Sequence, residues 1–352
     1  MADGSLNVAL CGYGYWGVNL FRNFSNSDQF RIVAVADERE DRRDIVKRLN
    51  PDIKLYKSAF EAIDAPDVQA VAIATPVASH YKLAARALLH GKHVFVEKPM
   101  CASSEEAGEL VSLASLTGAT LMVDHTFLFH PAVRKIKNMI MQGEIGRITY
   151  YDSQRINLGL FQPDVNVLWD LAPHDLSIID YLFDEAPIHV QANGYCHLNP
   201  RLPDVAYMTM HFPSRFVAHL NLSWMSPVKV RRTAIGGTSK MVVWDDLSRD
   251  EPIRIYDSGI NVLAQEDRQV VIPSYRVGEV HIPRLAGGEP LALAIEHFGS
   301  VIRGVEQSIM DGKKGLRIVR MLEWAQRSLD NSLADIDNLS SSNYPIAVGQ
   351  KA

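Results

Sequence analysis

LNVALCGYGYWG, residues 6–17, decides how the first third of this chain folds. A short apolar run leads into three glycines spaced G-x-G-x-x-G, and a helical pattern follows from Trp16 to Phe24. Alone the glycine pattern is weak; between a strand and a helix it acquires a physical meaning. Gly12 permits a tight turn, Gly14 lets the main chain approach a pyrophosphate, and Gly17 lets helix and strand pack closely. The helix start, at Tyr15 and Trp16, adds unpaired N–H groups and the positive end of a dipole.

The same alternation continues outward. FRIVAVAD (30–37), VQAVAIAT (68–75), KHVFVEK (92–98) and ATLMVDH (119–125) read as strands. Between them, Arg39 to Leu49, HYKLAARALLHG (80–91) and SSEEAGELVSLASLTG (103–118) read as helices. Strands alternating with helices predict a parallel sheet with crossover helices over residues 1–125. After about residue 130 the pattern changes. ITYYDSQRI (148–156), PIHVQANGYCHL (187–198), VAYMTMHFP (205–213), FVAHLNLSWM (216–225), VRRTAIGG (230–237), KMVVWDD (240–246) and PIRIYD (252–257) predict an open, mainly antiparallel sheet. Two helices, 291–304 and 316–331, close the pattern; Ser258 to Gly288 reads as loop-rich and the tail 340–352 as weakly ordered. The expected fold class is α/β: an N-terminal Rossmann dinucleotide-binding domain (1–125), then a C-terminal α/β domain (126–352) for substrate binding and oligomerisation.

Composition excludes several function classes. Of 352 residues, 47% are apolar and 22% charged, as in an ordinary globular protein. A net charge of −5 argues against a general nucleic-acid binder. No stretch reaches the ~18 apolar residues of a membrane span, and the N-terminus lacks a signal-peptide pattern. Cys11, Cys101 and Cys196 are widely spaced, so neither a disulfide framework nor a metal site is expected, and a cytoplasmic location fits.

Several side chains are candidates for chemistry. Asp37 lies 20 residues past Gly17, where an acid accepts hydrogen bonds from the adenosine ribose and repels a 2′-phosphate. NAD is therefore favoured over NADP, although Arg39, Arg42 and Arg43 stand close by. Thr75 and Pro76 end a strand on the ligand side of the sheet; His80 is either a cofactor contact or a plain helix-start residue. Lys98, between Glu97 and Pro99, ends another strand at the same edge, and Pro99 restricts its backbone. A lysine there can stabilise a developing alkoxide. Asp170 and His174 share one helix face if the helix is continuous, and histidine suits proton transfer near neutral pH. Asp170 then either holds the imidazole or binds a substrate hydroxyl. Alternatively it is only an N-cap, with Pro173 in the first turn. Arg155 and Asn157 are candidate substrate contacts or solvated strand-end residues. Trp224, Lys229, Arg231 and Arg232 form either a basic rim or a subunit face.

GYGYWG, ATPVASHYKLAARALLHGKHVFVEKP and WDLAPHD together resemble the glucose–fructose oxidoreductase/inositol dehydrogenase (Gfo/Idh/MocA) family. The resemblance implies that Lys98 lies by the nicotinamide, with a peptide before Pro99 that is often cis, and that His174 of an Asp-x-x-x-His pair is the acid/base. Asp170 joins Lys98 and His174 as catalytic, and Glu97 as cofactor-binding. Asn166-Val167-Leu168-Trp169 stands where many members have a glycine-rich run. The resemblance implies sugar, polyol or nucleotide-sugar substrates, including UDP-sugars oxidised at the 3-hydroxyl, and homodimers or homotetramers built through the second sheet. An NAD-assisted glycoside hydrolase and a non-enzymatic NAD-binding regulator are the alternatives on the same fold.

Overall fold

The computed structural model describes residues 4–159, 161, 165–263, 272–285 and 287–341. The first sheet has six parallel strands: β1 (Leu6–Cys11), β2 (Phe30–Ala36), β3 (Lys54–Tyr56), β4 (Ala70–Ile73), β5 (His93–Val96) and β6 (Leu121–Val123). Their order is β3-β2-β1-β4-β5-β6, the doubly wound arrangement expected for a dinucleotide fold. The crossover helices are α1 (Tyr15–Asn26), α2 (Glu40–Leu49), α3 (Ala59–Asp64), α4 (Val77–Leu89) and α5 (Ser104–Thr117). Helix α5 shows why its ends are legible. The Ser103 hydroxyl accepts from the Glu106 N–H at 3.2 Å, and Gly118, at φ +70°, closes the last turn.

A short 3-10 turn (Thr126–Phe129) and α6 (Pro131–Met141) lead to the second sheet. Eight strands form it: β7 (Ile148–Leu158), β8 (His189–Tyr195), β9 (Val205–His211), β10 (Val217–Ser223), β11 (Met225–Gly237), β12 (Met241–Asp245), β13 (Ile253–Tyr256) and β16 (Val280–His281). Only β7 and β10 pair in parallel; the other neighbours are antiparallel. The predicted strand break at 226–229 is absent. β11 runs through it with a register shift, and β10 turns into β11 around Trp224. Within Ser258 to Gly288, read as loop, β14 (Gly259–Leu263) and β15 (Ile272–Arg276) pair antiparallel. The local pattern there is too short and interrupted for periodicity to reveal pairing. The predicted tail lies, from residue 342 on, outside the described residues.

Between β7 and β8 runs α7 (Val167–Phe183). The chain's last helices are α8 (Pro290–Ile302) and α9 (Gly312–Ser341). α7 and α9 cover one face of the second sheet. On the other face Tyr150, Tyr195 and Tyr207 are exposed, following the strand alternation. α8 returns to the first sheet: Phe298 stacks on Phe30 at 5.6 Å and meets Phe95 at 5.4 Å. All three rings are buried, and truncating such a ring costs ~3–5 kcal/mol. Glu289, at the N-cap of α8, accepts from both Nη atoms of Arg22 on α1. The end of the chain therefore pins the two sheets together, and the cleft between them is the place for a site. Among the described residues, no helix is long and apolar enough to cross a membrane.

Candidate active site

The glycine turn has the geometry its sequence implies. Gly12 sits at φ +93°, and a Cβ there would lie 2.6 Å from the Ala74 carbonyl oxygen. A Cβ on Gly17 would lie 2.1 Å from the Gly12 carbonyl oxygen, so strand and helix could not approach as they do. Gly14, the N-cap of α1, is different: a Cβ there meets no protein atom within 4 Å. Packing does not demand that glycine. The open space beside it fits a pyrophosphate lying against the main chain. Tyr15 and Trp16 are exposed at the same helix end.

Asp37 follows β2 and ties the turn down. Its Oδ2 accepts from the Tyr13 N–H at 2.8 Å and its Oδ1 from the Arg39 N–H at 3.0 Å. Arg43 is committed to the carbonyls of Asp37 and Glu38, whereas the Arg39 side chain is 53% exposed. Thr75 and Pro76 close β4, with the Thr75 hydroxyl 2.6 Å from that of Ser79. His80 is buried, and its ring nitrogens lie 3.0 Å from the Pro99 carbonyl and 2.8 Å from the Thr75 carbonyl. It braces the corner after Lys98; such a buried brace does not fit the reading of His80 as a cofactor contact.

Lys98 follows β5, and the Lys98–Pro99 peptide is cis. Its Nζ donates to the carbonyl of Asp170 at 2.7 Å and to Oδ1 of Asp170 at 3.0 Å. Asp170 Oδ2 accepts from Trp224 Nε1 at 3.2 Å. Asp170 is thus taken up by Lys98 and Trp224, and the alternative in which it holds the His174 ring is corrected. Equal helix faces do not guarantee a contact when a cation from another element is nearer. The N-cap alternative is also corrected. Asn166 caps α7, accepting from the Trp169 N–H at 3.1 Å, and Pro173 lies inside the helix.

His174 and Lys98 line one cavity of about 410 Å³, together with Trp16, Glu97, Asp124 and Arg231. The cavity lies where the first sheet's strand ends meet α7, β11 and the start of α8. The His174 imidazole is half-buried and stands edge-on to Phe127, 5.1 Å between ring centroids. Among the described residues nothing hydrogen-bonds its ring nitrogens. Lost hydration, then the positive charges of Lys98, Arg155 and Arg231, hold its pKa well below the ordinary 6.5. The ring is neutral near neutral pH and available as a base.

Arg155 and Asn157 lie elsewhere. Arg155 is buried behind Phe127, its Nε donating to Oδ2 of the fully buried Asp175 at 2.9 Å. Ser153 donates to the same carboxylate at 2.8 Å. This ion pair fastens β7 to α7, so Arg155 is corrected from substrate contact to support. Asn157 donates to the Leu158 carbonyl beside it and does not line the cavity. Of the four residues read as a basic rim, Arg231 lines the cavity and pairs with Asp246 at 3.2 Å, and Trp224 is buried under Asp170. Sequence reasoning missed the roles of Trp224 and Phe127, which no local spacing signals. Among the described residues no cluster of His, Cys, Asp and Glu is arranged to hold a metal ion.

Comparison with known proteins agrees with this geometry. Residues 6–125 match the model of an oxidoreductase family with an NAD-binding Rossmann fold, and residues 133–243 match the Gfo/Idh/MocA C-terminal domain. The chain belongs to the Gfo/Idh/MocA oxidoreductase family. UDP-N-acetylglucosamine 3-dehydrogenase from Acidithiobacillus ferrooxidans is 28% identical over 319 residues, covering 89% of this chain and 94% of that one. A solved structure of that enzyme has a TM-score of 0.77 at 24% identity, covering 94% and 99% of the two chains. The WlbA dehydrogenase from Bordetella pertussis, solved with NADH and UDP-GlcNAcA, has a TM-score of 0.76 at 17% identity over 93% and 97%, a likeness of fold. As a member of this family the chain is an oxidoreductase with an NAD(P)-binding Rossmann domain.

Proposed function

We propose that this protein is an NAD-dependent dehydrogenase that oxidises a secondary hydroxyl of a nucleotide-linked sugar, with a UDP-sugar 3-hydroxyl as the leading case. The observation that carries this reading is the convergence of Lys98 and His174 on one cavity between the glycine-turn sheet and the second domain. An ammonium has three N–H donors. Asp170 takes two, and the third is left to hold a substrate oxygen. His174 takes the hydroxyl proton, while Lys98 stabilises the alkoxide that forms. NAD, when bound, supplies the hydride acceptor. Asp170 holds Lys98 in place and leaves His174 free to move its proton. In the reverse direction, the low pKa of His174 makes its protonated form a ready donor to the carbonyl oxygen.

The UDP-sugar assignment is supported by the dehydrogenase relative that matches most of the chain and by Arg231, a cation on the cavity wall. Asp37 supports NAD over NADP, since a 2′-phosphate would meet its carboxylate. We place the domain boundary after residue 125 and assign α8 to contacts with both domains. The exposed tyrosines of the second sheet support self-association through that face, as a homodimer or homotetramer. A reducing cytoplasm suits the unpaired thiols of Cys11 and Cys101.

The test is a screen of UDP-N-acetylhexosamines, free hexoses and inositols for reduction of NAD, read as NADH absorbance, with products followed in parallel. Reduction with a UDP-sugar supports the reading. Cleaved sugar without net NADH would establish the glycoside hydrolase instead, and binding of NAD with no turnover of any sugar would establish the regulator.

A further inference from the structure

Beside Lys98 stand two carboxyls that the mechanism above does not use. Glu97 follows β5 and Asp124 follows β6, neighbouring strands, and the Asp124 N–H donates to the Val96 carbonyl at 2.8 Å. That register sets the two side chains next to each other at the sheet edge. Glu97 is 6% exposed and Asp124 3%. Glu97 Oε2 accepts from the Lys98 main-chain N–H at 3.3 Å, and Asp124 accepts from the Thr126 hydroxyl. Glu97 Oε1 is buried without a hydrogen-bond partner, yet the Asp124 carboxyl is within interacting reach. Two ionised carboxylates cannot bond to each other, and a buried acceptor left unpaired is destabilising. One proton on Glu97 removes both difficulties.

We propose that Glu97 is held as a neutral carboxylic acid that donates a hydrogen bond to Asp124, so that the pair places one negative charge, not two, beside Lys98. Glu97 is then a positioning residue acting through Lys98. With a single charge at the strand edge, the ammonium stays on Asp170 and keeps its free donor for a substrate oxygen. A second ionised carboxyl would pull it back toward the sheet.

Burial first, and then the charge of Asp124, push Glu97 well above the usual carboxylate range; burial pushes Asp124 up to about 6. Among the described residues, the other titratable groups around the cavity set no further unpaired anion against the two carboxyls. Asp246 is paired with Arg231, and Glu289 with Arg22. His174 is held neutral, and so is the buried His125 next to Asp124, whose pKa falls to about 3. Among the described residues, Lys98 is the cation that faces the pair directly.

The consequence for Lys98 rests on the dehydrogenase reading; the protonation state does not. The experiment is difference infrared spectroscopy of the full chain across pH 5–9, without sugar or cofactor, so a failed sugar screen and a failed proposal remain separate results. A protonated-carboxyl band persisting above pH 7, shifted by [13C]glutamate labelling and lost in Glu97→Gln, is expected. In Asp124→Asn the like charge is gone, and the Glu97 band should titrate at least about one pH unit lower. Complete ionisation of the wild type by pH 6 would overturn the proposal. So would a band insensitive to glutamate labelling, which would put the proton on Asp124. The labelled wild type decides the matter by itself if either variant fails to fold.

Discussion

Lys98 Nζ sits 3.0 Å from Oδ1 of Asp170 and 2.7 Å from the carbonyl of the same residue. A strand end of the first sheet is thereby clamped to a helix of the second domain, at the point where the cavity opens. Removing the ammonium takes away the alkoxide-stabilising donor. Lys98→Ala should lower kcat for sugar oxidation by about a hundredfold to a thousandfold. Its Kd for NADH, measured by fluorescence titration, should stay within about threefold of wild type. Unchanged turnover would remove Lys98 from the mechanism.

His174 should show itself in the pH profile. Its pKa is depressed by burial and by the neighbouring cations, so the basic form persists below the ordinary value of 6.5. Going down in pH, kcat/KM for oxidation should hold level from pH 8 to below 6.5 before the acid limb begins. His174→Gln should cost about a hundredfold to ten-thousandfold in kcat and abolish that limb. A wild-type limb centred at or above 6.5 would contradict the environment described for this ring.

Asp37 should govern cofactor choice. Replacing its carboxylate removes the repulsion of a 2′-phosphate and leaves the exposed Arg39 to meet it. Asp37→Ala should shift the NADP-to-NAD ratio of kcat/KM upward by about tenfold or more, since each 1.4 kcal/mol of lost discrimination is a factor of ten. Steady-state kinetics with both cofactors gives the answer. An unmoved ratio would limit Asp37 to holding the Tyr13 N–H.

Arg155 separates support from substrate contact. Arg155→Met leaves the Asp175 carboxylate buried and unpaired, which costs ~3–5 kcal/mol. The urea midpoint should fall accordingly, while the KM for the sugar measured well below that midpoint stays within about threefold. A large KM change at unchanged stability would restore the substrate role first read for this residue.

These residues also divide what was legible from what was not. Gly12 and Gly17 were legible because a tight turn and a helix–strand contact are local demands that only glycine meets. The ends of α5 were legible for the same reason, through Ser103 and Gly118. Arg155 and His80 each left two readings open because both are polar residues near a ligand-side edge, and whether such a residue faces the cleft or the core depends on what packs over it. Asp175 under the sheet and the carbonyls of Thr75 and Pro99 settled that.

What the sequence determined alone was the parallel sheet and the change to an antiparallel one, together with the small set of groups proposed for the dinucleotide and the proton, because these depend on periodicities and spacings of a few residues. What only the tertiary structure decided was who partners whom. Asp170 and His174 are one helical turn apart, yet Asp170 belongs to Lys98 and Trp224. The physical reason is that an ion pair forms with the nearest unmet charge in space, and Lys98 arrives there from 72 residues earlier in the chain.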